Sequence, residues 1–338
     1  MRYLSSISFA IAACANCAAA DPLPSLNLDP SQTTVSGVSS GGFMAVQLQV
    51  AFSQSIQGAG IVAGGPFNCA DNSVWQALYV CMDPAFLGPD PDSSIKSIRD
   101  LASAEEIDGI EGVASDRIYM FHGTQDETVA RSSMDALEAT FLALDVSEVA
   151  INYVSSVEAG HGFVTENASV GCADTSPEYL VDCDFDQAGD ILNWLYGELV
   201  PPVSPVSGNL LTFDQSVYLE GAAGMDEVAF VYVPSACRAR ETCGLHISLH
   251  GCNQGREAIG DDYVRLTGFN GWAETNNIVV LYPQATAVPS PWNSWFAGNP
   301  NGCWDWWGYS GADYLSRNAP QPSAIARMSA ALGAPIAR

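Results

Sequence analysis

The sequence predicts an α/β fold, in which a mainly parallel β-sheet carries helices on both faces. Strand-like and helix-like segments alternate on both sides of a proline-rich stretch at residues 201–208, which is the pattern of successive βαβ units. The apolar run at 60–63 is typical of a short, buried strand. Hydrophobic residues make up 48% of the 338 residues and aromatic residues 10%. That composition fills a large core and excludes a disordered, collagen-like or coiled-coil chain.

Upstream of the proline-rich stretch, apolar runs predict strands and 3.6-residue apolar spacing predicts helices. The predicted strands are 33–36, 60–63, 117–121 and 149–154, and the predicted helices are 43–52, 132–144 and 186–196. The prolines that begin at Pro201 end the last of these helices near Gly197.

Downstream of the proline-rich stretch, the same alternation continues. The predicted strands are 228–233, 246–249 and 278–282, and the predicted helices are 262–276 and 323–332. Each half alone would form an incomplete sheet, so the two halves are expected to share one sheet.

The charge of the chain limits its partners. Twelve basic and 38 acidic residues give a net charge of −26, and Lys96 is the only lysine. A surface this negative repels phosphate backbones and anionic lipid head groups. We therefore expect neither nucleic-acid binding nor stable membrane association.

Residues 1–20 have the features of a signal peptide. A positive charge at Arg2 precedes an apolar stretch at 4–13, and three alanines ending at Ala20 form a small-residue cleavage site. The apolar run is shorter than the ~18 residues of a membrane span. A short buried helix is one alternative, and lipidation of Cys14 in a lipoprotein-like box is another. We expect cleavage near Ala20 and a secreted or periplasmic location.

Removal of residues 1–20 leaves eight cysteines, an even number in an oxidising compartment. They are Cys69, Cys81, Cys172, Cys183, Cys237, Cys243, Cys252 and Cys303. The first six form three pairs of sequence neighbours, which leaves the last two as a fourth pair. Spacing does not fix the pairing, because eight cysteines allow 105 connectivities. Zinc ligation is the alternative, and the lack of a Cys-x-x-Cys motif within residues 21–338 disfavours it.

Residues 37–41 read Gly-Val-Ser-Ser-Gly, the pentapeptide of a nucleophile elbow. The motif lies between a predicted strand and a predicted helix, as that turn requires. The turn lifts the hydroxyl of Ser39 out of the sheet, and Ser40 presents its backbone N–H at the start of a helix. The alternative is an ordinary turn rich in serine and glycine.

A nucleophilic serine needs a base, and the chain has four histidines. His161 lies between two glycines on a loop that follows the strand at 149–154, so it can reach the carboxyl edge of the sheet. His246 lies within an apolar strand and is expected in the core. His122 ends a strand and is expected to make local contacts.

The acid of a triad should follow a strand between the serine and the histidine. Asp126 does so, with Glu127 beside it as the residue most easily confused with it. Its role would be to hold the imidazole tautomer, and the alternative is turn or capping chemistry. The order Ser39, Asp126, His161 is that of the α/β-hydrolases.

The second oxyanion donor of an α/β-hydrolase comes from a loop after an early strand, yet nothing upstream of Thr33 supplies one. A fitting loop lies downstream, at 245–255. The predicted elements fall in the order of the α/β-hydrolase fold if the sequence is read from near Leu210 to Arg338 and then continued from residue 21. The sequence therefore predicts a circularly permuted α/β-hydrolase, with 21–338 as a single domain and neighbouring termini. Two separate domains are the alternative.

Three motifs resemble those of the poly(3-hydroxybutyrate) depolymerases. They are residues 37–44, 249–252 and 299–309. The permuted order is similar to the subgroup of fungal secreted and bacterial periplasmic enzymes. The resemblance implies a single-domain, permuted α/β-hydrolase that uses Ser39, Asp126 and His161 as its triad.

The same resemblance implies further site residues. The oxyanion donors would be the backbone N–H groups of Ser40 and Cys252. A Cys252–Cys303 disulfide would fasten the oxyanion loop, and Trp307 would line the substrate crevice. The expected protein is a monomeric serine esterase that hydrolyses poly(3-hydroxybutyrate) or its oligomers, without cofactor or metal. Solid polymer would be gripped by an apolar surface around the crevice. The alternatives are a feruloyl or acetyl esterase and a non-catalytic polymer-binding protein.

Overall fold

A computed structural model describes residues 22–83, 88–206, 209–290 and 294–337. The predicted signal peptide and Cys14 lie outside the described residues. Eleven strands occur within these ranges: β1 Leu28–Val38, β2 Ile56–Val62, β3 Arg117–Phe121, β4 Ile151–Val154, β5 Phe163–Val164, β6 Val170–Gly171, β7 Leu180–Asp182, β8 Leu210–Asp214, β9 Val228–Tyr232, β10 Cys243–Leu249 and β11 Ile278–Tyr282. Ten α-helices occur there as well: α1 Ser40–Ala51, α2 Val74–Gln76, α3 Pro91–Ser103, α4 Arg131–Ala143, α5 Gln187–Tyr196, α6 Ser235–Arg238, α7 Arg256–Ile259, α8 Asp262–Leu266, α9 Phe269–Asn276 and α10 Pro320–Leu332.

Eight of the strands form one sheet in the order β4-β3-β2-β1-β10-β11-β9-β8. All neighbours are parallel except β9, which is antiparallel to both β11 and β8. Strands β5, β7 and β6 form a small second sheet. The predicted α/β class with a mainly parallel sheet is confirmed.

The two halves of the chain meet at the centre of the large sheet. Strand β1 pairs in parallel with β10, and Thr34 lies opposite His246. Counted from Leu210 to the end and then from residue 22, the eight strands lie in the order 1-2-4-3-5-6-7-8. In that count neighbours are consecutive apart from one exchanged pair, as expected for sequential elements. This is the arrangement that the predicted circular permutation requires.

The ends of the described chain lie together, as the permutation requires. The N–H of Leu26 donates to the carbonyl of Leu332 over 2.9 Å. At the opposite junction, residues 201–206 are exposed and have no regular secondary structure.

The large sheet is buried on both faces. In β11, Leu281 joins one apolar cluster, whereas Val280 and Tyr282 join the cluster on the other face. Helix α1 lies centrally, and all twelve of its residues are buried. Within the described ranges, no helix has the length and apolar character needed to cross a membrane.

Candidate active site

Ser39 occupies a strained turn between β1 and α1. Its φ of 56° and ψ of −122° lie outside the regions that L-residues ordinarily adopt. Its N–H donates to Val62 O over 2.8 Å, and its carbonyl accepts the first helical bond from Phe43 N–H. A Cβ on Gly37 would lie 2.2 Å from Gly41 O. The turn is therefore as tight as the pentapeptide predicts.

The downstream loop reaches this turn. A Cβ on Gly41 would lie 2.3 Å from Leu249 O and 2.4 Å from His250 O, so glycine is required at that position. A Cβ on Gly251 would lie 3.3 Å from the Cβ of Ser39. Because β1 and β10 are adjacent and parallel, their carboxyl ends bring together two segments that are more than 200 residues apart in sequence.

His161 and Asp126 form a buried pair. The imidazole Nδ1 lies 2.8 Å from Asp126 Oδ2. The other carboxylate oxygen accepts the N–H groups of Thr128 and Val129. Burial alone would raise the pKa of the Asp126 carboxyl. The adjoining imidazole and the hydrogen bonds outweigh burial and hold the pKa below its ordinary value.

The loop of His161 is fastened at several points. The N–H of His161 donates to Thr175 Oγ1 over 2.9 Å. Gly160 N–H donates to Cys172 O over 2.7 Å, and Cys172 is bonded to Cys183. The imidazole also meets the ring of Tyr179 edge-on. These contacts fix the direction of an imidazole that a loop alone would leave free.

Two of the other histidines have the contacts that the sequence predicts. His246 is fully buried between the hydroxyls of Thr34 and Ser36, each 2.8 Å from a ring nitrogen, and burial lowers its pKa to about 3. His122 donates from Nε2 to Val129 O, which fastens the loop that carries Asp126.

A single cavity of about 170 Å³ is lined by Ser39, His161, Gly251 and Cys252. Trp295 forms part of its wall. A larger cavity of about 470 Å³, near Lys96, holds none of the triad or oxyanion candidates. The active-site hypothesis therefore rests on the smaller cavity, where the chemically competent groups meet.

Trp307 lies behind this wall. It is 3% exposed, and its ring centroid is 5.1 Å from that of Trp295. The structure thus brings Trp295 to the cavity and sets Trp307 in the layer beneath. Sequence reasoning missed Trp295, whose only signal is an aromatic residue in a stretch rich in serine and proline.

One predicted oxyanion donor, Ser40, follows Ser39 in the chain, and the other, Cys252, lines the same cavity as Ser39. Ser40 is the first residue of α1, so its N–H has no acceptor within the helix. In the part of the chain that is described, no protein group accepts the N–H of Cys252. A disulfide joins Cys252 to Cys303, and Asn253 N–H donates to Asn301 O alongside it.

The eight cysteines in the described part of the chain form four disulfides, three between sequence neighbours and one between the remaining two. The bonds are Cys69–Cys81, Cys172–Cys183, Cys237–Cys243 and Cys252–Cys303. Zinc ligation by these thiols is therefore wrong. Among the described residues, no group of three or more histidine, cysteine or carboxylate side chains is placed to hold a metal ion.

Two known proteins with similar sequences are polyhydroxybutyrate depolymerases. The chain is 42% identical over 317 residues to a poly(3-hydroxybutyrate) depolymerase of Delftia acidovorans, and this match covers 92% of the chain but 61% of that relative. It is 38% identical over 316 residues to a polyhydroxybutyrate depolymerase of Talaromyces funiculosus, covering 91% of both. No family model matches the chain.

Solved structures give the same result. A PHB depolymerase with the substitution S39A, complexed with an R3HB trimer, superposes with a TM-score of 0.83 at 36% identity and covers 92% of this chain and 98% of its own. The PHB depolymerase of Penicillium funiculosum superposes with a TM-score of 0.82 at 36% identity, covering 91% and 97%.

Proposed function

Because the chain belongs to the poly(3-hydroxybutyrate) depolymerase family, we propose that it is a serine esterase that hydrolyses poly(3-hydroxybutyrate) or its oligomers. The observation that carries this proposal is that Ser39 and His161 line one cavity, where the imidazole of His161 is hydrogen-bonded to the buried carboxylate of Asp126. A strained serine, an oriented imidazole and a carboxylate are the three parts of an acyl-transfer site.

In the proposed reaction His161 removes the hydroxyl proton of Ser39, whose oxygen attacks the ester carbonyl. The negative oxygen that develops accepts hydrogen bonds from the N–H groups of Ser40 and Cys252. The tetrahedral intermediate expels the alcohol, to which His161 gives its proton, and an acyl-enzyme remains. Water then repeats the cycle with His161 as base and releases the acid. Asp126 stabilises the imidazolium that forms in each half.

Substitution of the nucleophile tests the proposal. Ser39→Ala should leave a folded protein whose kcat on a short hydroxybutyrate ester falls ~10⁴-fold or more, and a fluorophosphonate should no longer label it. Ser36→Ala is the matched control. Ser36 is buried on β1, the strand that leads to Ser39, and lies 2.8 Å from an imidazole nitrogen of His246, but it does not line the cavity. Normal turnover by the Ser39→Ala protein would end the proposal.

The substrate class needs a separate experiment. Hydroxybutyrate oligomers should be hydrolysed with a higher kcat/KM than feruloyl or acetyl esters of similar solubility. A preference for the aromatic or acetyl esters would leave the serine mechanism intact and reject the polyester. Labelling of Ser39 by a fluorophosphonate distinguishes either enzyme from a non-catalytic binding protein.

We infer that solid polymer is held by an aromatic surface beside the cavity, made of Trp75, Tyr79 and Phe296. These side chains are 54%, 45% and 67% exposed, and the rings of Trp75 and Tyr79 are 5.4 Å apart. Helix α2, which carries Trp75, packs beside the 3₁₀ turn Trp295–Ala297, whose first residue lines the cavity. Exposed aromatic area next to a reactive cavity suits an apolar polyester.

We also propose that the protein acts outside the cytoplasm. The four disulfides support this location, because such bonds persist in oxidising compartments. Determination of the N-terminal residue of the exported protein tests the expected cleavage near Ala20.

A further inference from the structure

His250 makes two hydrogen bonds that the proposed reaction leaves unexplained. It directly follows β10 and is fully buried. Its Nδ1 lies 2.7 Å from Gly251 O, and its Nε2 lies 3.0 Å from the N of Ala285. A backbone N–H can only donate, so Nε2 is the acceptor and the ring proton lies on Nδ1. The imidazole therefore donates to the carbonyl of Gly251.

The carbonyl of Gly251 and the N–H of Cys252 belong to the same peptide group. A donor on that oxygen fixes the plane of the peptide and polarises its N–H, because hydrogen bonds in a chain strengthen one another where the local dielectric is low. Burial lowers the pKa of His250 to about 4, so the ring is neutral near pH 7 and keeps this tautomer.

The preceding peptide is held from the other side. Gln254 Oε1 accepts the N–H of Gly251 over 2.7 Å, and its amide nitrogen donates to the carbonyls of Glu178 and Tyr179. The N–H of Gly251 is thus occupied, whereas the N–H of Cys252, which lines the cavity, has no acceptor among the described residues. Trp304 Nε1 donates to His250 O over 2.9 Å and fixes the base of the loop.

We propose that His250 is a positioning residue, whose Nδ1–H aligns and polarises the peptide that supplies the oxyanion donor at Cys252. This inference rests on the proposed esterase function and adds to it. It predicts that the Nδ1 bond, and not the Nε2 bond, controls the stabilisation of the tetrahedral intermediate.

Two substitutions separate the two bonds. His250→Asn places an amide N–H where Nδ1 lies and loses the acceptor for Ala285 N–H. His250→Gln places an amide oxygen where Nε2 lies and loses the donor to Gly251 O. We expect His250→Gln to lower kcat by about tenfold to hundredfold with little change in KM, less than the ~10²–10³ that the loss of an oxyanion donor costs. His250→Asn should retain most of kcat.

Stability and inhibitor binding show whether the effect is merely structural. His250→Asn leaves a buried N–H unpaired and should unfold at a lower denaturant concentration than the wild type, yet it should be the more active variant. Affinity for a trifluoromethyl ketone, which forms a tetrahedral adduct with serine, should fall in parallel with kcat. His246→Gln is the control, because His246 is a buried histidine on β10 whose ring nitrogens are hydrogen-bonded to Thr34 and Ser36 and not to the loop.

The outcomes distinguish this inference from the function on which it rests. A wild-type protein without ester turnover would refute both. Turnover in the wild type with equal loss of kcat in His250→Asn and His250→Gln, or with losses that follow their stabilities, would overturn the role of Nδ1 and leave the esterase function standing.

Discussion

Removal of the Cys252–Cys303 disulfide should weaken both the fold and the reaction. The bond closes 51 residues of chain, and the chain-entropy model assigns such a loop ~4 kcal/mol of stability. The perturbation is Cys252→Ala together with Cys303→Ala, which leaves no free thiol. The bond from Asn253 N–H to Asn301 O remains. A domain of ordinary stability, about 5–15 kcal/mol, should therefore still fold.

The effect on kcat follows from the place of the bond. Cys252 carries the proposed oxyanion N–H. Its neighbour Gly251 lines the same cavity and lies close to Ser39. A loop released from Cys303 samples positions in which the N–H no longer meets the developing charge. We expect kcat to fall by tenfold or more, up to the ~10²–10³ of a lost oxyanion donor, with a smaller change in KM.

The Cys237–Cys243 disulfide provides the control. It closes only six residues, at the opposite end of β10, so its removal should cost ~2 kcal/mol. Unfolding in guanidinium chloride measures the stability of both double variants. Turnover of a soluble ester is then measured where each is fully folded. If the two variants keep the same kcat per folded molecule, the disulfide serves stability alone and the reasoning is refuted.

Three further predictions concern other parts of the chain. Burial raises the pKa of Asp116 to about 8. The unfolded chain therefore loses this proton at a lower pH than the folded chain does, and the free energy of unfolding falls as pH rises from about 4 to about 8. Asp116→Asn should therefore stabilise the protein at pH 7 by up to ~4 kcal/mol, and a variant whose stability keeps the wild-type pH dependence would contradict this. Gly41→Ala should reduce stability by ~1–3 kcal/mol or more and lower kcat, because the added methyl group meets the carbonyl oxygens of Leu249 and His250; unchanged unfolding curves would contradict it. Replacing Trp75 and Phe296 with serine should reduce binding to polyester film and spare soluble-ester turnover, whereas Val217→Ser, a change at a side chain that is 61% exposed, should do neither.

The sequence predicts the triad because each of its residues follows a strand. Parallel strands present their carboxyl ends at one edge of the sheet, so residues in such loops converge without knowledge of their contacts. Such loops carry Ser39, Asp126 and His161, and in the structure the carboxylate of Asp126 is hydrogen-bonded to the imidazole of His161. The loop of Thr175 and Tyr179 has no periodic pattern that would indicate where it packs.

The differences from prediction have physical causes. Helix α3 at Pro91–Ser103 was not predicted, because it is mostly polar and buries only three residues, Ser94, Ile95 and Ile98. The predicted helix at 262–276 is two helices, since Gly268 interrupts it with a φ of 94°. The choice between Trp295 and Trp307 depends on how residues 294–309 fold back across the cavity, which no local pattern encodes.

Because the two halves form one sheet, the position of the chain ends is not essential to the fold. A chain that begins at residue 209, continues to 337, is joined by a short linker to residue 22 and ends at residue 200 should form the same sheet. The linker crosses a short gap, because Leu26 and Leu332 are already hydrogen-bonded, and the new ends replace an exposed segment without regular structure. Its kcat and circular dichroism spectrum should match those of the original.

A second chain, joined by the same linker but opened between residues 253 and 254 within the oxyanion loop, should fold but have a low kcat. Failure of the first chain to fold, while the second folds, would mean that the sheet depends on the connection between its halves at residues 201–208.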